Sequence, residues 1–279
     1  MSPKFIKLSS LFVATLLASN VFAQQPAGEI KDTETVHTEA SAREAISSAQ
    51  VALPASVTGA AVYLGALSAA PAGTGKRVPV VVFMHGSSGL ALKAIGEWQQ
   101  WLAGIGIASI APNSFALPKR LTYKSPIDKA VYEKIHALRL SEVTLAARAL
   151  PDLPWSDASR TVLAGTSEGA VPVARYTGTE FLGRILMAWS CEDNYFVQNH
   201  KTALADDKPV LNIISSVDPF FSATNSWIGN PSAQGHCAVA LKNNKQASVL
   251  LIPGAPHTLM NLPQARAAAE AFLRDLLKP

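Results

Sequence analysis

Ser167 stands at the centre of Gly165-Thr166-Ser167-Glu168-Gly169, a G-x-S-x-G pentapeptide. A serine hydroxyl is a weak nucleophile until a neighbouring base takes its proton. This pattern presents such a serine where a strand, a sharp turn and a helix follow one another. The flanks read that way: Arg160-Thr161-Val162-Leu163-Ala164 has strand character, and Ala170 to Tyr176 can begin a helix. The two glycines leave room for a turn tight enough to strain the central residue. The chemistry implied is attack on a carbonyl carbon. It needs a base, an acid to orient that base, and donors for the oxygen that becomes negative.

Candidates for all three lie just past apolar runs. Pro209 to Ile214 reads as a buried parallel strand and leads into Ser215-Ser216-Val217-Asp218-Pro219. Ala247 to Ile252 leads into Pro253-Gly254-Ala255-Pro256-His257. Chemistry in open α/β sheets gathers at the carboxyl ends of strands. Asp218 is therefore expected to orient His257, and His257 to take the proton of Ser167. Asp193 follows the run Ile185 to Ser190 and is the alternative acid; Asp218 is preferred, being on the later strand. Val78 to Met84 runs into His85-Gly86-Ser87-Ser88-Gly89. The backbone N–H groups of Ser87 and Glu168 are the expected oxyanion donors, and losing one such donor typically costs about 3 kcal/mol. His85 reads as a structural residue under this loop.

Each signal also has a plainer reading. G-x-S-x-G occurs by chance, an Asp before Pro is commonly a turn residue, and a lone His near a chain end is usually on the surface. The conjunction carries the catalytic reading, with four elements in a workable order, each behind a strand. Glu168 reads either as a solvated side chain or as a pocket-facing carboxylate favouring a cationic or hydroxyl-rich substrate. Phe220, Phe221 and Trp227 follow Asp218 on a long irregular segment, and such segments are often functional. They read as a wall for an acyl or aryl group or as a satellite cluster. Asn113 and Ser114 read as substrate contacts or turn residues.

The elements that must hold these groups alternate. Helical spacing over 91–103, a short strand over 107–111, a long amphipathic helix over 129–150 ended by Pro151 and Pro154, and a helix over 264–277 separate the strands. The alternation predicts an α/β fold, a mostly parallel twisted sheet with helices on both faces. The strand ending in His85-Gly86-Ser87-Ser88-Gly89, the segment Ala111-Pro112-Asn113-Ser114-Phe115, the elbow and Pro253-Gly254-Ala255-Pro256-His257 together resemble the dienelactone hydrolase-like branch of the α/β hydrolases, over roughly residues 58 to 278. That family carries a cysteine nucleophile where this chain has Ser167. The resemblance implies the α/β-hydrolase fold, and the departure implies a serine esterase rather than a lactonase. A peptidase or amidase of the same fold is the alternative, as is a non-catalytic small-molecule-binding member.

The chain of 279 residues suits one sizeable domain. Its start reads as a secretory signal peptide over 1–23: Lys4 and Lys7 without an acid, an apolar stretch from Leu8 to Leu17, and Val21-Phe22-Ala23 before Gln24. Residues 24–50, polar and rich in Ala and Ser, read as a loosely packed leader, with the domain over 51–279. The expected location is periplasmic or secreted, without a stable membrane anchor after cleavage. The formal charge of +4 falls to +2 without Lys4 and Lys7, and no basic cluster with interleaved aromatics suggests nucleic acid. The two cysteines, Cys191 and Cys237, are expected to form a disulfide in an oxidising compartment, the alternative being two buried thiols. Neither cofactor nor metal is expected, since two cysteines without metal-spaced histidines make no zinc site. The expected partner is a small-molecule ester.

Overall fold

The run Val78 to Met84 is apolar throughout because both faces of the strand it forms are covered. Val80, Val82 and Met84 join one buried cluster, and Val81 and Phe83 join another on the opposite face. The computed structural model describes residues 28–278. In chain order its strands and helices are β1 (Glu29–Lys31), α1 (Glu39–Ser47), β2 (Gln50–Leu53), α2 (Ala55–Thr58), β3 (Tyr63–Ala66), β4 (Val78–Met84), α3 (Lys93–Gly104), β5 (Ala108–Ala111), β6 (Thr122–Lys124), α4 (Lys129–Ala149), β7 (Ser156–Thr166), α5 (Ala170–Arg175), β8 (Gly183–Met187), β9 (Val210–Ser215), β10 (Ala247–Ile252) and α6 (Pro263–Leu276).

Eight strands make one sheet in the order β10-β9-β8-β7-β4-β5-β2-β3. From β10 to β5 every neighbouring pair is parallel, and β2 and β3 close the far edge antiparallel. The parallel block turns all its carboxyl ends to one side. Helices lie on both faces. Tyr132, Val143 and Ala146 of α4 pack with α5 on one side. Ile95, Trp98 and Leu102 of α3 pack with Ala265, Ala269 and Leu273 of α6 on the other. β7 is longer than its apolar stretch, because its polar start at Ser156 continues the pairing with β4.

The reading of 24–50 as a loose leader is corrected from residue 28 onward, where the chain is built into the fold. β1 pairs antiparallel with β6. Thr38 caps α1 by accepting from the Ser41 N–H. His37 Nε2 lies 3.1 Å from Glu142 Oε1 of α4, and Gln50 already belongs to β2. The partners of β1 and of His37 lie far along the chain, so local composition could not show them. The signal-peptide reading of 1–23 lies outside the described residues. Among the described residues no helix is long and apolar enough to cross a membrane.

Candidate active site

β7 ends at Thr166, and Ser167 follows with φ of 54°, a left-handed conformation that costs a non-glycine residue energy. The flanking glycines are imposed by crowding. A Cβ on Gly165 would lie 2.4 Å from the Gly169 carbonyl oxygen, and one on Gly169 would lie 2.1 Å from the Met84 carbonyl oxygen. The elbow therefore presses directly on the end of β4, and α5 begins at Ala170.

Asp218 lies three residues past β9 and is fully buried. Its Oδ1 accepts the N–H groups of Phe220 (2.9 Å) and Phe221 (3.0 Å). Its Oδ2 accepts the Nδ1 hydrogen of His257 at 2.7 Å. A proton held on Nδ1 leaves Nε2 as the free lone pair of a neutral imidazole. Adjacent strands β9 and β10 bring the two loops together. Asp193 is placed elsewhere: its half-exposed carboxylate lies 3.3 Å from Lys129 Nζ at the surface.

His85 to Gly89 form a turn closed by the Gly89 N–H on the Gly86 carbonyl (3.1 Å), which leaves the Ser87 N–H outside that bond. A Cβ on Gly86 would sit 3.4 Å from Ser167 Cβ, so the turn lies against the elbow. His85 is buried. Its Nδ1 donates to the Gly86 carbonyl (2.7 Å), and its Nε2 accepts from the Ser114 N–H (3.3 Å). Burial and the adjacent Arg139 hold its pKa well below the ordinary histidine value.

Neither reading of Glu168 matches its surroundings, which are fully buried behind the elbow. Oε1 accepts from Arg120 Nη2 (2.7 Å), Oε2 accepts from the Tyr123 hydroxyl (2.9 Å), and Arg139 Nε faces Oε1 at 3.5 Å. Burial alone would push this carboxyl up, but Arg120 and Arg139, helped by Tyr123, hold its pKa below the ordinary value. The charge is thus neutralised from behind. Ser114 is committed to the same cluster through its Oγ on Arg120 Nε (2.7 Å), and the Asn113 side chain caps the turn at Phe115 N.

A cleft of about 130 Å³ opens over Ser167 and His257. Phe220 and Phe221 line it, the Phe220 ring lying 4.6 Å from the His257 ring. Trp227 does not line it; its ring packs edge-on against Tyr195, one layer back. Tyr123, Tyr195 and Phe196 complete the wall, and none was singled out from the sequence. The Tyr195-Phe196 pair close behind Cys191 was the available signal. Cys191 and Cys237 form a disulfide with a Cα–Cα distance of 4.8 Å. Beside it Glu192 accepts the N–H groups of Gln234 (2.7 Å) and Gly235 (2.9 Å). The loop bearing Tyr195 and Phe196 is thereby fastened to the segment that follows Asp218. Among the described residues no group of three or more His, Cys, Asp or Glu is placed to hold a metal ion.

No protein-family model matches this sequence, and no curated protein matches it. Solved structures do. A cold-adapted esterase from an Arctic intertidal metagenomic library, in a PEG-bound complex, is similar with a TM-score of 0.51 and 19% identity, over 83% of this chain and 95% of that one. Esterase PE8 is similar with a TM-score of 0.50 and 18% identity, over 72% of this chain and 94% of that one. The likeness is one of architecture, and with the sheet order above it identifies this chain as having the α/β-hydrolase fold.

Proposed function

We propose that this chain is an exported serine hydrolase that cleaves carboxylic esters of small acyl or aryl substrates through Ser167, His257 and Asp218. The observation that carries the reading is the 2.7 Å bond between His257 Nδ1 and buried Asp218, in a cleft shared with the strained Ser167. In this mechanism His257 Nε2 takes the Ser167 proton as Oγ attacks the substrate carbonyl. The N–H groups of Ser87 and Glu168 receive the developing oxyanion. His257 then returns the proton to the departing alcohol, leaving an acyl group on Ser167. Water, activated by the same imidazole, releases the acid.

The lining favours a neutral, compact substrate. No Asp, Glu, Lys or Arg is among the described residues that line the cleft, whose wall combines the rings of Tyr123, Tyr195, Phe196, Phe220 and Phe221 with small hydroxyl residues. With Glu168 turned inward and paired, the cleft carries no fixed charge for a cationic amine or an anionic carboxylate. The disulfide supports an oxidising, extracytoplasmic location.

A fluorophosphonate probe tests the reading, followed by matched p-nitrophenyl ester and p-nitroanilide substrates. Label on Ser167 and turnover of short esters, unaffected by EDTA, are expected. Label on another serine sinks the assignment. Faster anilide than ester cleavage makes the chain an amidase, and binding without turnover makes it a non-catalytic member of the fold.

A further inference from the structure

The two proposed oxyanion donors sit on different strands. Ser87 follows β4 and Glu168 follows β7. A negative oxygen is held well only if both N–H groups keep a fixed spacing. One buried side chain touches both segments. Arg139 of α4 donates Nη2–H to the His85 carbonyl (2.9 Å), two residues before Ser87, and its Nε faces the Glu168 carboxylate at 3.5 Å. Glu142 fixes Arg139 from behind through Nη1.

A second path closes the figure. Arg120 Nη2 holds Glu168 Oε1 at 2.7 Å, and Arg120 Nε holds Ser114 Oγ at 2.7 Å. The Ser114 N–H donates to His85 Nε2 at 3.3 Å. The polar contacts form a ring from His85 through Arg139, Glu168, Arg120 and Ser114 back to His85. Arg120, Arg139, Glu142 and Glu168 are all buried. Burying four charges is a poor route to stability alone, because apolar side chains of the same volume commonly serve as well or better. A ring of buried hydrogen bonds closed by the Arg139–Glu168 charge contact does what apolar packing does less well: it sets the spacing of two backbone segments.

We propose that Glu168 and Arg139 are positioning residues. Through the buried ring they hold the Ser87 and Glu168 N–H groups at the spacing an oxyanion requires. The inference rests on the serine-hydrolase reading above. Tyr123 extends it to the cleft, since its ring lines the wall while its hydroxyl donates to Glu168 Oε2.

The test uses Glu168→Gln, which keeps the shape and removes the charge, and Arg139→Lys, which keeps the charge but loses the planar fork that reaches two partners. Active sites are titrated with fluorophosphonate. Then kcat, KM and the Ki of a trifluoromethyl ketone are measured for wild type and variants. The ketone forms an adduct with the serine whose oxyanion occupies the donors. Displacing one donor lowers kcat by about 10- to 100-fold, and the ketone weakens by a similar factor, while KM stays within about twofold. A merely stabilising ring predicts a lower Tm with kcat and Ki unchanged per titrated site, and that result overturns the proposal. Should Glu168→Gln fail to fold, Arg139→Lys decides by the same readouts. Should wild type carry no label on Ser167, the serine-hydrolase reading falls, and this inference with it; unchanged Ki in variants labelled at Ser167 refutes the inference alone.

Discussion

Asp218 grips His257 with one carboxylate oxygen and its own loop with the other: Oδ2 accepts the imidazole Nδ1 hydrogen at 2.7 Å, while Oδ1 accepts the Phe220 and Phe221 N–H groups. The carboxylate is thus immobile before it meets the ring, and the ring is held in the tautomer that a base for Ser167 requires. Asp218→Asn replaces an acceptor by an amide that can present a donor, favouring the wrong tautomer. The expected loss is about 10⁴-fold in kcat with folding preserved. Asp193→Asn, at the surface against Lys129, should leave kcat within about twofold. Steady-state rates of both on one p-nitrophenyl ester decide the matter, and a larger loss in the Asp193 variant would reverse the assignment.

The Cys191–Cys237 bridge closes a loop of 46 residues between the cleft-wall loop and the segment behind Asp218. Restricting the unfolded chain over that separation is worth about 4 kcal/mol in the chain-entropy account. Cys191→Ala with Cys237→Ala should lower the unfolding free energy by that order in urea titrations. KM should also rise, because Tyr195 and Phe196 lose part of their anchor. Intact mass after alkylation of unreduced, denatured protein checks the bridge itself, and two alkylated thiols would remove the premise.

Phe220 and Trp227 were grouped in the sequence, and the structure separates them. Phe220 stands against His257 in the cleft, whereas Trp227 supports Tyr195 from behind. Phe220→Ala should widen the cleft beside the imidazole. The ratio of kcat/KM for an octanoyl over an acetyl ester should then rise by about tenfold, of the order that differential burial of a few methylenes allows. Trp227→Ala should lower Tm and leave that ratio alone. A chain-length profile for the two variants tests this, and equal profiles would remove Phe220 from specificity.

The parts that were legible share one cause. Val78 to Met84 and Val210 to Ser215 are buried on both faces, so the first run is apolar throughout and the second is apolar but for Asn212 and Ser215, and both are easily seen. Asp218 could be placed because it follows such a run; His257 follows β10, an edge strand that is largely exposed yet still reads as an apolar run, and parallel pairing of β9 with β10 brings the two ends together. Arg120, Arg139 and Tyr123 carried no comparable signal. Glu168 meets them from 48, 29 and 45 residues away. A charge about to be neutralised in the interior looks, in sequence, like one bound for the surface. The same holds for His37 and Glu142, 105 residues apart, which anchor a segment whose polar composition suggested a loose leader.

Acid should destabilise this fold in two stages. His85 and His136 are buried, and burial lowers both pKa values below the ordinary 6.5, so the folded state keeps them neutral where the unfolded chain takes up protons. The unfolded state therefore binds more protons below about pH 6.5, and stability falls as pH drops, by up to about 1.4 kcal/mol per pH unit for each histidine. Glu168 acts lower. Its folded pKa lies below the ordinary 4.5, so its contribution is fully present above 4.5 and is lost as pH falls through the folded value. Urea unfolding between pH 8 and pH 5 measures the first stage directly as stability rather than activity. His136→Phe keeps the ring packing against Tyr132 and Phe196 and gives up one bond to the Phe196 carbonyl. It should flatten the slope by about one proton. A wild-type unfolding free energy that stays level from pH 7 to pH 5 would show that neither histidine is held neutral.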